Sequence, residues 1–531
     1  MATMRRDAHR HLWRLMCWSL LWHACASVAQ TAAPAVTSPD AAPAGTRRPL
    51  IQPSIDLRAL ATDNSVTENG QAKSDVVFTA TPAFNIFAKG AYSSVEGNWQ
   101  VTRVDYLHGT QPDQFLPSGN LAAHLASGKQ GPSLDAGVSA TQTRSQYTAA
   151  QSGTTATQDT YTDYRYNLRP GYHAQVGRNA QLDAQLDRAW TQTDRNDTAL
   201  ADRPDSTSRN DSLRFTRKPT PFGYALEGAY QSTEVSGLSE PTYANKAWRA
   251  RGLYALSNEF QVGVIGGREN TRSDTESVSS SIAGLQLQWQ PTERTALQGE
   301  AERHDYGRTW RLSLAHRTPW MAFNLDSVRS ATTSANNLGT LTAGQSVRDL
   351  LNAMLTTRIP DSAARNEVVD ALIAQRDLPT ELTSARALYD LSAQLSQTTA
   401  ARLAFLGKRD VLAFSTGLSK TQPLFNDQTA LIFGSDTRTH EYYFDSELTH
   451  QLTPLSSVSG GLRWTRVRGW TSALTGPDTY NKTRDFSWRA TVSTKLTREA
   501  TATWGLRRII SHVNSTPNNE KVMFVGLGYR F

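Results

Sequence analysis

From about residue 52 onward, apolar and polar residues alternate in short runs. Trp248, Ala250, Gly252 and Tyr254 share one face of a run whose other face carries Arg249 and Arg251. Leu285, Leu287 and Trp289 alternate with Gln286, Gln288 and Gln290, and Trp310, Leu312 and Leu314 with Arg311, Ser313 and Ala315. Phe486, Trp488, Ala490 and Val492 alternate with Ser487, Arg489, Thr491 and Ser493. A period of two is that of a β-strand with an apolar medium on one side and a polar one on the other. Soluble sandwiches and membrane barrels both contain such strands, and the connections separate them. Tight turns at Lys89-Gly90, Gly177-Arg178-Asn179 and Pro291-Thr292-Glu293 alternate with longer polar loops around 147–157, 195–207, 236–244 and 471–483. Short turns at one end and long loops at the other mark outer-membrane barrels. The pattern predicts an all-β fold, a large antiparallel transmembrane barrel of roughly 20–22 strands, even in number so that both termini lie in the periplasm. The two parts of the barrel are expected at 51–337 and 403–531, with a small helical insert between them. A barrel this wide is not filled by its own wall side chains.

The last strand sharpens the expectation. Met523, Val525, Leu527, Tyr529 and Phe531 occupy one face, with Gly526, Gly528 and Arg530 on the other. Gly526, Tyr529 and a final Phe531 resemble the β-signal read by the outer-membrane insertion machinery, which is therefore an expected partner, together with outer-membrane lipid.

Residues 338–402 break the alternation. Ser346 suits the cap of a helix over 346–356, with Val347, Leu350, Leu351, Met354 and Leu355 at helical spacing. Asp361 suits the start of a second, with Val368, Val369, Leu372 and Ile373 on one face, and a third, weaker helix is predicted over 384–397. Strands are expected to resume near Ala401. An insert of this length exceeds a simple connection, and its apolar faces need burial. Packing inside the lumen, capping one mouth and docking a partner all satisfy that need; the alternative is a surface loop with incidental helices. Strand parity brings the insert in from the long-loop side.

The N-terminus reads as an export signal. Residues 1–14 are basic, 15–26 form a short apolar run, and Ser27-Val28-Ala29 offers small residues before Gln30. This is the pattern of a secretory signal peptide over 1–29, followed by an Ala/Pro/Thr-rich flexible linker over 30–50. Both cysteines, Cys17 and Cys25, fall inside the signal. The expected mature chain has no thiol, which excludes disulfides, thiol catalysis and Cys-ligated metals. The formal net charge is +7. Arg5, Arg6, Arg10 and Arg14 against Asp7 supply three of those charges, and the remaining excess is too thin for a nucleic-acid face. The short linker leaves no room for the globular plug of a TonB-dependent receptor. These features place the protein in the outer membrane.

Several short motifs recur in an order that resembles a known family. Ala61-Thr62-Asp63-Asn64 is followed by Ser74-Asp75-Val76-Val77-Phe78 and Thr81-Pro82-Ala83-Phe84. Arg358-Ile359-Pro360-Asp361 leads to Arg365, Val368, Val369 and Leu372, and Gly407-Lys408-Arg409-Asp410 sits in a tight turn. The order is similar to that of the outer-membrane β-barrels associated with the PEP-CTERM/exosortase system. The resemblance implies a role in exopolysaccharide production and export, with polysaccharide or export components as partners. It carries no catalytic or binding residues.

No HExxH, GxSxG or P-loop pattern occurs in the mature chain, and no catalytic, cofactor or metal site is assigned. His108, His124, His304, His316 and His440 are scattered, and Asp183, Asp187, Asp445 and Glu447 alternate along strands as expected of a solvated lumen face. Arg249, Arg251, Arg311, Arg317, Arg489 and Lys495 recur on the expected interior face. Such cations recruit anionic sugar polymers by charge and bidentate hydrogen bonding. They equally balance lumen acids such as Glu227, Asp445 and Glu447. Two functions follow: a passive porin-like conduit for exopolysaccharide or other polar solutes, regulated by the insert, or a non-conducting structural barrel that anchors an envelope assembly. An enzyme is the third and weakest class.

Overall fold

The structure is a computed structural model that describes residues 51–65, 72–144, 160–195, 204–236, 243–273, 277–333, 347–356, 358–359, 365, 368–369, 393–424, 438–471, 479–514 and 516–531. Twenty-two strands follow one another along the chain. They are β1 (Ile51–Thr62), β2 (Asp75–Lys89), β3 (Ser93–Tyr106), β4 (Gln114–Ala126), β5 (Gly131–Arg144) and β6 (Thr160–Val176). Next come β7 (Ala180–Arg195), β8 (Ser206–Arg217), β9 (Phe222–Val235), β10 (Tyr243–Ala255), β11 (Phe260–Arg272) and β12 (Ser277–Thr292). Then follow β13 (Thr295–His304), β14 (Gly307–Arg317), β15 (Met321–Thr332), the helix α1 (Val347–Leu355), β16 (Gln394–Leu406) and β17 (Asp410–Pro423). The chain closes with β18 (Arg438–Gln451), β19 (Ser456–Thr471), β20 (Thr479–Lys495), β21 (Ala500–Val513) and β22 (Thr516–Arg530).

Every strand pairs antiparallel with its sequence neighbours, and β1 pairs with β22 from Ser54↔Arg530 to Thr62↔Val522. That seam leaves no free edge, so every strand has a hydrogen-bonded neighbour on both sides. The strand number is even, and the start of β1 therefore meets the end of β22 at one rim. For 22 strands spaced about 4.8 Å apart and tilted by about 40°, the barrel is roughly 40–45 Å across at the backbone.

The two rims differ as the turn signals predict. Gly90, Gly177 and Glu293 lie in connections of two or three residues, all at the rim where β1 begins. The connections at the other rim are mostly longer, the longest being the one between β15 and β16. Short turns mark the periplasmic rim and long loops the extracellular one. The predicted loops around 147–157, 195–207, 236–244 and 471–483 all fall at the extracellular rim. Their central residues, like the signal peptide and the linker, lie outside the described residues.

Which face meets lipid is settled by exposure. At the end of the chain, Met523, Val525, Leu527, Tyr529 and Phe531 are 40–72% exposed, whereas Glu520 and Val522, on the opposite face of β22, are buried. Trp248, Val264, Leu285, Trp464 and Phe486 point outward in the same way. Large apolar side chains left open around a closed barrel require an apolar solvent. The protein is an outer-membrane β-barrel.

The insert is shorter than expected. β16 starts at Gln394, so the last part of 338–402 belongs to the barrel, and Gln394–Gln397 form strand where the third helix was predicted. The physical reason lies at the strand's extracellular end. Its outward residues Gln397 and Thr399 are polar because the wall there has risen past the acyl chains to headgroup height, so the alternation fades before the strand does. The first predicted helix forms as α1. Its expected cap Ser346 lies outside the described residues, as do Asp361, Leu372 and Ile373; Arg365, Val368 and Val369 are helical.

Candidate functional site

A nine-residue helix is not stable alone in water and needs a packed face. α1 has one: Leu350, Leu351, Met354 and Leu355 are all buried, with Val369 beside them. Their partners are Ala322, Ala404, Val411 and Ala413. These lie on β15, β16 and β17 at the periplasmic end, and the register aligns Ala322↔Ala404 and Ala404↔Ala413 in one row. The row shares the inward parity of the ion-paired Asp326 and Arg402, opposite to the outward Trp320 and Phe405, which stack on the other side. α1 is therefore seated inside the barrel. β15 ends at Thr332 and β16 begins at Gln394, both at the extracellular rim, whereas α1 sits at the periplasmic end of the inner wall. Alanines on three neighbouring strands form a shallow apolar shelf in a polar wall, and the helix approaches it closely. A helix is about 10 Å thick. Against a barrel of this width α1 by itself fills only part of the cross-section.

The inner wall is otherwise charged. Arg249 forks onto Glu302, with Nε–Oε1 at 2.8 Å and Nη2–Oε2 at 3.1 Å. Arg251 donates to Gln286 at 3.0 Å and meets Glu300 at 2.9 Å and Glu227 at 3.2 Å. His304 Nδ1 lies 2.5 Å from Glu269 Oε1, and Nε2 lies 2.9 Å from Thr309 Oγ1 and 3.3 Å from Glu302. Tyr306 stacks on the imidazole with ring centres 4.9 Å apart. One network thus ties β9, β10, β11, β12 and β13 across the lumen face. Forked, charge-assisted bonds of this kind hold their geometry well.

A second ladder lies across the barrel. Arg489 on β20 reaches over Gly461 on β19 to Glu447 on β18 at 2.8 Å. A Cβ at Gly461 would run into both side chains, so glycine here is the space through which the pair meets. Arg402 meets Asp326 at 3.3 Å beside the α1 shelf. Arg169 donates to Asp187 at 2.9 Å, and His173 lies 2.6 Å from Asp183.

All six cations singled out in the sequence have inward parity. Arg249, Arg251 and Arg489 are engaged with acids, two of them with Glu227 and Glu447. Arg317 donates to the Glu293 carbonyl at the periplasmic rim. Arg311 stands in register opposite Glu300, and half-buried Lys495 opposite Thr501. They are spread around the wall and do not converge on one point. Sequence reasoning missed Glu269, Glu300, Glu302, Arg402 and Asp326. The alternation of Glu300, Glu302 and His304 along β13 was the available signal.

The extracellular half of the wall is sealed on its inner face. Ser415, Glu441, Tyr443, Thr465, Val467, Thr483, Asp485 and Ser511, all inward on β17–β21, are buried. Solvent reaches the lumen more freely lower down, where Arg489 is exposed.

No protein-family model matches the chain, and no curated protein sequence is similar to it. Solved structures with a similar course include OccK2 (OpdF) of Pseudomonas aeruginosa, at 10% identity over 91% of this chain and 98% of that one, with a TM-score of 0.34. The siderophore receptor PirA of Acinetobacter baumannii aligns at 10% identity over 91% of this chain and 80% of that one, with a TM-score of 0.41. A mutant of the ferric enterobactin receptor PfeA of P. aeruginosa, in complex with enterobactin, aligns at 9% identity over 90% and 81%, also at 0.41. The fold assignment rests on the closed strand register of this chain and not on these values.

Proposed function

We propose that this barrel is a passive conduit for polar solutes across the outer membrane, and that its insert is the constriction that regulates it. The observation that carries the reading is α1 seated on the inner wall, where an apolar shelf exists for it. A helix displayed for an outside partner would keep its apolar face at the surface. Most charges on the wall are paired, so a solute meets alternating signs and not a single-sign field. That surface suits hydroxyl-rich chains, which exchange hydrogen bonds with it step by step, better than steep selection between ions. Following the resemblance to barrels of the PEP-CTERM/exosortase system, we take the cargo to be an exopolysaccharide. The role is transport and not catalysis.

The test pairs a cell with a bilayer. A strain lacking the protein retains polymer that the complemented strain secretes, and an Arg311→Ala, Arg489→Ala pair lowers secretion. In planar bilayers the purified protein conducts, and removal of residues 338–393 raises the unitary conductance. Bilayers that stay closed with both forms, and unchanged secretion, favour the other reading, a barrel that anchors an envelope assembly.

A further inference from the structure

The outer wall carries a feature that the conduit does not use. On β17–β21, two outward rows lie above the lipid-facing aromatics. The upper row runs Lys420↔His440↔Arg468↔Lys482 across four adjacent strands. The row below it contains Arg466↔Arg484↔His512. Directly beneath stand Phe444, Trp464, Phe486 and Ile510, the upper edge of the apolar band. Neighbouring strands are about 4.8 Å apart and successive outward residues about 7 Å, so Arg466, Arg468, Lys482 and Arg484 crowd into one small patch.

This arrangement opposes folding on its own terms. Like charges directly opposite across a strand pair are destabilising. Here Arg466 faces Arg484 and Arg468 faces Lys482. Among the described residues, no acid shares the outward face of the extracellular halves of β17–β21. The acids nearby, Glu441 and Asp485, point inward and are buried. The Nε atoms of Arg466 and Arg468 are buried against the wall with no hydrogen-bond partner. Lys482, Arg484, His512 and Asn514 line a recess at the edge of the patch. Asn514 takes the left-handed conformation, φ 56°, and its side-chain oxygen accepts the Lys482 backbone N–H at 2.9 Å, which fixes the recess floor.

The patch faces the membrane and not the lumen, at the extracellular side and at the height where acyl chains give way to headgroups. We propose that it binds the phosphate groups of a phosphorylated saccharolipid of the outer leaflet, of the lipid A type. The aromatic row packs against the acyl chains, the cation rows take the phosphates, and the bound anion relieves the cross-strand repulsion. Arginine suits this role because its fork matches phosphate bidentately.

The experiment uses the full chain in detergent and an Arg466→Gln, Arg468→Gln, Lys482→Gln, Arg484→Gln variant, with retained folding checked by heat-modifiable gel migration. Native mass spectrometry is run with bis-phosphorylated lipid A, with its dephosphorylated form, and with inorganic phosphate as competitor. The parent chain is expected to retain lipid A, and the variant to bind it about tenfold or more weakly. The dephosphorylated lipid should be lost from both, and millimolar inorganic phosphate should fail to displace lipid A from the parent. Lipid A should raise the unfolding midpoint of the parent and leave that of the variant unchanged. Equal retention by both chains, or equal retention of the dephosphorylated lipid, overturns the proposal. Displacement by inorganic phosphate also overturns it, in favour of a free-anion site. These outcomes are independent of whether the lumen conducts.

Discussion

At the scale of single residues, space is allotted to ion pairs as carefully as the pairs themselves. Gly461 is the plainest case, since Arg489 reaches Glu447 across it. A Gly461→Val change should lower stability by about 1–3 kcal/mol, the worth of a charge-assisted contact left unmade. Urea unfolding in micelles measures it. The same change in a Glu447→Gln, Arg489→Gln background should cost much less, because nothing is left to displace; an equal loss in both backgrounds would refute the assignment. The inward arginines were legible in the sequence, since a period of two fixes parity. Their partners were not. Arg249 crosses two intervening strands to Glu302, and no local pattern records a contact between residues 53 apart. The basic rows on the outer wall were equally hidden, because Lys420, His440, Arg468 and Lys482 come together only through the register of four strands.

Elements were legible to the extent that they touch lipid. β10, β12, β14, β20 and β22 were each visible as clean alternation, because lipid on one side and water on the other impose it. β16 was blurred at its start, at headgroup height, where Gln397 and Thr399 make the outer face polar as well. α1 was visible through Val347, Leu350, Leu351, Met354 and Leu355, yet its place was not. An amphipathic helix states that it needs a shelf and not where the shelf is. Ala322, Ala404 and Ala413, scattered over three strands, read in sequence as bland. The docking is tested by Ala404→Trp, which fills the shelf while leaving α1 intact. Added protease should then cut the insert of the folded barrel at least about tenfold faster, since a displaced short helix loses its structure. Unchanged protection would place the helix elsewhere.

The whole molecule is a wide tube with lipid outside, charge-laddered walls and a helix leaning on the inside near its periplasmic end. Barrel, strand parity and the side from which the insert enters followed from periodicity and turn lengths. The closure of β1 on β22 supplies what no single segment states, that the tube has no edge. The passage depends on how far the insert narrows it. Leu351 is fully buried between helix and wall, so a carboxylate there is incompatible with docking. The decisive measurement is single-channel conductance of Leu351→Asp beside the parent chain in the same bilayer. A larger unitary conductance is expected for the variant, with the heat-modifiable barrel intact. An intact barrel whose conductance matches that of the parent would contradict it.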